Sequence, residues 1–242
     1  MLPRPDAVLL DFGGVLADAP PGPAAPPGLV LRLYNLIGAA LTPGEINRSL
    51  TDGAAAWARW RDEDHPDELT QAQVWERFVT AGWPRPAQAL VRQSAARLSY
   101  EWAYRDGWGL RAGVAEFLTS TTLPLAVVSN TLCGAAHRDF LSRTGLGGRF
   151  GAQIYSDEAG VRKPNPEMIW QAARELGVPA GACWFVGDSR RRDVACARRA
   201  EAGAAVLMRS PRTDREDPVG WPEPDVTVGD GHGLLALVRG AA

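Results

Sequence analysis

A chain of 242 residues, 45% of them hydrophobic, can bury a core of ordinary size, which excludes disorder as its overall state. A formal net charge of -2 supplies no basic field for nucleic acid and no polybasic anchor for an anionic membrane, so the expected partner is a small molecule. Cys133, Cys183 and Cys196 are odd in number and show no CxxC spacing, which argues against both a disulfide framework and a zinc site.

In chain order, Ala7 to Leu10 is a short apolar run ending at Asp11, the pattern of a buried parallel strand followed by a tight turn. It is too short for a secretory signal or a membrane span, which leads to the expectation of a cytoplasmic protein. Ala19 to Gly28 is dominated by Pro, Ala and Gly and reads as a hinge. From Leu29 to about Arg105 apolar residues recur three or four apart, predicting helices over 29–41, 43–61, 70–81 and 86–104. Trp57 and Trp60 lie three apart on one of them, as expected of a packed helical interior.

From Gly109 the pattern alternates. Helices are predicted over 112–120, 135–144, 166–176 and 192–202, and strands over 125–129, 153–156, 183–186 and 205–208, with a last strand near 225–228 after a charged, proline-rich loop. Alternation of this kind predicts an α/β fold with a doubly wound parallel sheet. The first strand must join that sheet, because a lone strand leaves its edges unpaired. The helical block is therefore an insertion, giving a core of residues 1–17 and 106–242 and a smaller all-helical domain of residues 18–105.

Ligands of open parallel sheets bind at the carboxyl ends of the strands. Polar residues gather there: Asp11 after the first strand, Ser129-Asn130-Thr131 after the second, and Gly187-Asp188-Ser189 after the fourth. Lys163 precedes a helix that Asn165 can cap and Pro166 can open. Two carboxylates, a lysine and a hydroxyl on one crevice suit phosphoryl transfer. Asp11 and Asp188 can share a hard cation such as Mg2+, Asp11 can attack phosphorus, and Lys163 and Ser129 can stabilise the moving charge. Lys163 is moreover the sole lysine among 26 basic residues, which suggests that a compact point charge is required at that position.

Asp11-Phe12-Gly13-Gly14-Val15-Leu16 with Asp18, then Val128-Ser129-Asn130-Thr131, Arg162-Lys163-Pro164, and Gly187-Asp188-Ser189 with Asp193, resemble the four ordered motifs of the haloacid dehalogenase superfamily. The resemblance implies a Rossmann-like core and a Mg2+-dependent hydrolase of the phosphatase type, acting on a small phosphomonoester such as a sugar phosphate. It assigns Asp11 as nucleophile, Ser129 and the adjoining amide of Asn130 as phosphate ligands, and Lys163 as the charge-stabilising lysine. The metal ligands it implies are Asp11, the Gly13 carbonyl and Asp188, with Asp193 behind them or occasionally in direct contact. The helical insertion resembles the family's mobile cap, which excludes water during chemistry.

One position departs from the pattern. Family phosphatases usually carry a second aspartate two residues after the nucleophile as general acid and base, and here that position is Gly13. Three readings stand: a working phosphatase of a subgroup reading Asp-x-Gly-Gly, a haloacid dehalogenase, or a catalytically weak relative retained as a binding protein. The insertion has no lysine, which argues against imine-forming phosphonate cleavage. Arg190-Arg191-Arg192 opens a helix and is expected to be a solvated face. His65, His137 and His232 fall in no metal spacing and are given no role.

Overall fold

The computed structural model describes residues 2–19, 26–63, 67–104 and 107–241. Its strands are β1 (Ala7–Leu10), β2 (Ala17–Asp18), β3 (Gly109–Leu110), β4 (Leu125–Ser129), β5 (Ala152–Tyr155), β6 (Cys183–Gly187), β7 (Ala204–Met208) and β8 (Val226–Val228). Six of them form one parallel sheet in the order β5-β4-β1-β6-β7-β8, so the first strand lies between β4 and β6 as its unpaired edges require. The fold is the α/β, doubly wound arrangement expected from the alternation.

Each central strand is apolar on both faces because helices cover both. Val8 and Leu10 pack into one core with Leu125, Val127, Trp184 and Val186, whereas Ala7 and Leu9 pack into the other with Ala126, Val128, Cys183 and Phe185. That alternation is the two-residue strand period resolved onto two cores. Polar residues are left to the strand ends: Ser129 closes β4, and Asp11 and Asp188 directly follow β1 and β6.

The helical block gathers a third core of its own, from Leu29 through Trp75 to Trp102, joined by Leu132 of the α/β part. Its longest helix, Pro43–Arg61, opens with a reciprocal capping box between Thr42 and Glu45 and has Pro43 in its first turn. Gly53 lets that helix approach its neighbour: a Cβ there would lie 2.5 Å from the Phe78 carbonyl oxygen. Of the pair expected to pack inside, Trp60 is buried and Trp57 half-buried against this core, where Trp75, Trp83 and Trp102 are also buried.

Local differences have local causes. The helix predicted over 86–104 is two helices, Arg85–Gln93 and Ala95–Ala103, hinged at Ser94, whose φ of -101° and ψ of 6° interrupt the ladder without any Pro or Gly to announce it. The first helix is Pro27–Leu36, shorter than the pattern over 29–41, with Gly38 and Ala39 at positive φ ending it. Of the expected hinge Ala19–Gly28, residues 20–25 lie outside the described residues, as does His65. β2 and β3, which no periodicity signals, pair antiparallel where the chain leaves and re-enters the α/β body, with Ala17 opposite Leu110. The helical body also rests directly on the sheet side. The Ser156 hydroxyl donates to Glu68 at 2.7 Å, Gln71 donates to the Leu132 carbonyl at 3.0 Å, and Arg192 donates to Asp62 at 2.5 Å.

Candidate active site

The site forms where β1, β4 and β6 end. Asp11 continues the ladder by donating its amide to Val186, and the chain then turns through Phe12-Gly13-Gly14. Gly14 has φ +77°, and a Cβ on it would lie 2.0 Å from Asp188 Oδ2, so this turn accepts only glycine if the two acidic loops are to meet. A Cβ on Gly187 would likewise fall 2.1 Å from that of Asp193.

Asp11, Asp188 and Asp193 each place a carboxylate oxygen within 4.8 Å of the others. Lys163 closes the cluster: its Nζ lies 2.9 Å from Asp11 Oδ1 and 2.6 Å from Asp193 Oδ1, and its side chain is 1% exposed. Burial would depress the ammonium pKa, but the Asp11 and Asp193 carboxylates more than offset this and raise it, so the lysine stays charged. Asn130 fixes its backbone, its side-chain carbonyl accepting from the Lys163 amide at 2.8 Å while its amide donates to the Lys163 carbonyl at 2.9 Å. The Asn130 side chain is thus engaged with Lys163.

Asp188 is buried and its carboxyl is pushed up to about 7, by burial first, with Asp193 and Asp11 adding and Arg212 opposing. It accepts the Ser210 hydroxyl at 2.7 Å, and the Arg212 guanidinium Nε lies 3.3 Å from its other oxygen. Asp193 accepts the amides of Asp188 and Ser189 on one oxygen, both at 3.0 Å, and faces Lys163 with the other. Its carboxyl is raised by burial and Asp11. Both of its oxygens are therefore occupied in holding the loop and the lysine, so a direct metal contact would compete with Lys163.

Ser129 is buried at the end of β4 and lines the same cavity of about 130 Å3 as Asp11, Gly13, Asn130, Lys163 and Asp188. All the residues singled out for chemistry in the sequence thus come together around one pocket. Asn165 accepts from the Glu167 amide at 3.0 Å, but the helix begins at Glu167 with Pro166 at its N-cap, so Asn165 lies one residue outside the cap expected of it and Pro166 one residue before the first helical position. Asp18 pairs with Arg111 at 3.3 Å near the β2–β3 crossing, away from the cluster's ion pairs.

Other residues of the wall escaped the sequence reading. His137 stacks on Phe12, ring centroids 3.8 Å apart, with Trp108 edge-on to both. Burial, with Arg138 and Lys163 adding, depresses the His137 pKa to about 3, so the ring is neutral. No motif spacing ties these aromatics to Asp11; only the packing of Phe12 does. The arginine run is a correction: Arg192 is 15% exposed on its side chain, pairs with Asp62, and lines the pocket together with Arg61 and Arg212, so it faces a cavity rather than solvent.

A family model described as haloacid dehalogenase-like hydrolase matches residues 5–201, which takes in β1, β4, β6 and all four motif segments. The chain belongs to the haloacid dehalogenase-like hydrolases. Among curated proteins this hydrolase is 29% identical to a phosphoglycolate phosphatase of Xanthomonas campestris over 93% of its own length and 92% of that protein's. It is 34% identical to a glyceraldehyde 3-phosphate phosphatase of Methanopyrus kandleri, over 41% of its own length and 42% of the relative's. Its fold superposes on a 2-haloacid dehalogenase from Pseudomonas syringae with a TM-score of 0.65 at 20% identity, covering 99% of this chain and 98% of the other. Among the described residues of this haloacid dehalogenase-like hydrolase, no helix is long and apolar enough to cross a membrane.

Proposed function

We infer that the protein is a Mg2+-dependent phosphatase that hydrolyses a small phosphomonoester, such as a sugar phosphate, in the cytoplasm through an Asp11 aspartyl-phosphate. The observation that carries this reading is the buried Lys163 ammonium joined to Asp11 on one side and Asp193 on the other, with Asp188 in the same oxygen cluster. The phosphatase names of the two relatives support the reaction class.

The donor set fits Mg2+. Three carboxylates crowd one point and all the donors are hard oxygens, so a divalent cation would offset both the burial of Asp188 and its repulsion by Asp193 and Asp11. Asp11, Asp188 and the Gly13 carbonyl would hold the ion, which would neutralise the phosphate and orient it. The protein's own groups do the rest. Lys163 and the Phe12 amide hold Asp11 Oδ1, at 2.9 Å and 2.8 Å, leaving Oδ2 to attack phosphorus. As it attacks, the ester P–O bond breaks and the leaving oxygen departs as the alcohol, taking its proton from solvent water. Ser129 and the Asn130 amide bind the transferring phosphoryl oxygens, and Lys163 offsets their charge. Water then cleaves the acyl phosphate and restores Asp11. Residues 18–105 act as the cap that closes over this pocket; Arg61 of that body reaches its wall.

Gly13 favours one second reading, a slow or silent relative, since no carboxylate stands where the acid and base usually does. Phosphate release from a panel of sugar phosphates and an aryl phosphate, with and without Mg2+, separates the two, with Asp11→Asn as control. Mg2+-dependent release lost in the variant is the expected result. No release above the variant's level would refute the phosphatase reading and send the next assay to halide release from haloacids.

A further inference from the structure

Beside the catalytic pocket lies a larger cavity of about 480 Å3 between the helical body and the loop after β7. Its walls carry Arg61, Arg191, Arg192, Arg212 and Arg215, together with Trp221. Arg61, Arg192 and Arg212 line both cavities, so the two are compartments of one crevice. In a chain of net charge -2, five guanidiniums around one hollow are a local concentration rather than a general bias.

The carboxylates in the wall are mostly engaged elsewhere. Glu216 accepts the Ser189 hydroxyl at 2.7 Å and the amides of Arg190 and Arg191 at 2.6 and 3.1 Å, so its charge faces the start of the helical turn Arg190–Val194. Asp62 is held by Arg192, and Asp188, at the seam, is held by Arg212 and Ser210. Asp217 accepts the Val219 amide at 2.9 Å. Arg61 is different. Its guanidinium lies 4.1 Å from the centroid of the Trp57 ring, and its Nε is buried with no hydrogen-bond partner. Burial, with Arg192, Arg162 and Arg212 close by, pushes its pKa down to about 9. A desolvated cation among other cations is stabilised most by an anion, and a guanidinium offers one several hydrogen-bond donors.

We propose that this arginine wall is a subsite for a second anionic group of the substrate, so that the preferred phosphomonoesters carry another oxyanion, a carboxylate or a further phosphate, remote from the scissile ester. The hydrolysed group is assigned to the small compartment by the phosphatase reading, on which this proposal rests; the second anion is assigned by the arginines alone. Arg61 joins the two compartments from the helical side.

The test compares three substrates of equal chain length: an alkanediol monophosphate, the corresponding bisphosphate, and the phosphate ester of the corresponding hydroxy acid. Charge-assisted contacts from arginine are worth about 1.5–3 kcal/mol, so kcat/KM for one or both doubly anionic compounds should exceed that of the monophosphate by roughly tenfold to a hundredfold. Which of the two leads identifies the anion as phosphate or carboxylate. Arg61→Met should bring the ratio to within about threefold of unity, and Arg215→Met, which alters only the outer compartment, should lower it in part and stands in if the first variant misfolds. A wild-type ratio near one, or variants that reduce all three substrates equally, would overturn the subsite. If nothing is hydrolysed, the phosphatase reading has failed, and calorimetry with propane-1,3-bisphosphonate and propylphosphonate tests the subsite by itself. Tighter binding of the bisphosphonate by wild type but not by Arg61→Met supports it; equal binding overturns it.

Discussion

Gly13→Asp is expected to raise turnover, which is unusual for a substitution at a catalytic loop. A Cβ built on Gly13 meets no heavy atom within 4 Å, and the residue is not in the left-handed region, so the backbone accepts a side chain at this position. A carboxyl there would protonate the leaving oxygen and then deprotonate the attacking water, a contribution of roughly a hundredfold to ten-thousandfold, or about 2.7–5.4 kcal/mol at 1.36 kcal/mol per tenfold. Repulsion from the three existing carboxylates works against this gain, and Lys163, Arg212 and a bound metal would offset it. The net expectation is a gain of roughly tenfold to a hundredfold in kcat for an alkyl phosphate, whose leaving group needs a proton, and a smaller gain for p-nitrophenyl phosphate, whose leaving group does not. Steady-state kinetics on both substrates at saturating Mg2+ reads this directly. Gly14→Ala is the contrasting control: its Cβ would collide with Asp188 Oδ2 at 2.0 Å and adds about 1–2 kcal/mol of left-handed strain, so metal-dependent turnover should be lost. A folded, Mg2+-binding Gly13→Asp protein with unchanged or lower alkyl phosphate turnover would refute the reasoning and mean that another group already moves the proton.

Lys163→Met should abolish turnover and destabilise the metal-free protein by about 3–5 kcal/mol, since Asp11 and Asp193 then face each other unpaired; urea unfolding without Mg2+ measures it. Lys163→Arg should not rescue activity, because a planar fork does not fit where the side chain is 1% exposed, and recovery of wild-type kcat would contradict the point-charge argument. Asn130→Ala removes two hydrogen bonds to the Lys163 backbone and should cost about 1–3 kcal/mol while lowering kcat; unchanged kcat would show that Lys163 holds its place without them. His137 has its pKa depressed from 6.5 to about 3 on folding, so its contribution to stability is complete above pH 6.5 and is lost as pH falls toward 3. Thermal midpoints from pH 7 to 4 should therefore fall less steeply in His137→Phe, which keeps the stack on Phe12, and identical slopes would assign the acid limb to other groups.

The strands that build the site were legible because their signal is local. β1 and β4 match the apolar runs residue for residue and β6 to within one, since a strand buried on both faces must be apolar throughout and must stop where a polar residue appears. Asp11, Ser129 and Asp188 were legible for the same reason, since a polar residue at or directly after the end of such a strand has only the crevice to enter, whereas Lys163 was legible from its place in a loop just before a helix. Where a boundary depended on packing, the pattern ran past it, as at Ser94, where apolar spacing continues through a break in the ladder.

By itself, then, the sequence determined the parallel α/β sheet, the helical insertion and the convergence of Asp11, Ser129, Lys163 and Asp188, all of which follow from periodicity and strand ends. Only the tertiary structure decided what surrounds them. Asn130 turned out to hold the lysine, His137 and Trp108 to wall the pocket, and the arginine run to join Arg61 and Arg212 around a second hollow. These groups come from separate elements, up to 151 positions apart between Arg61 and Arg212, and no spacing rule links side chains whose meeting depends on how one body packs against another.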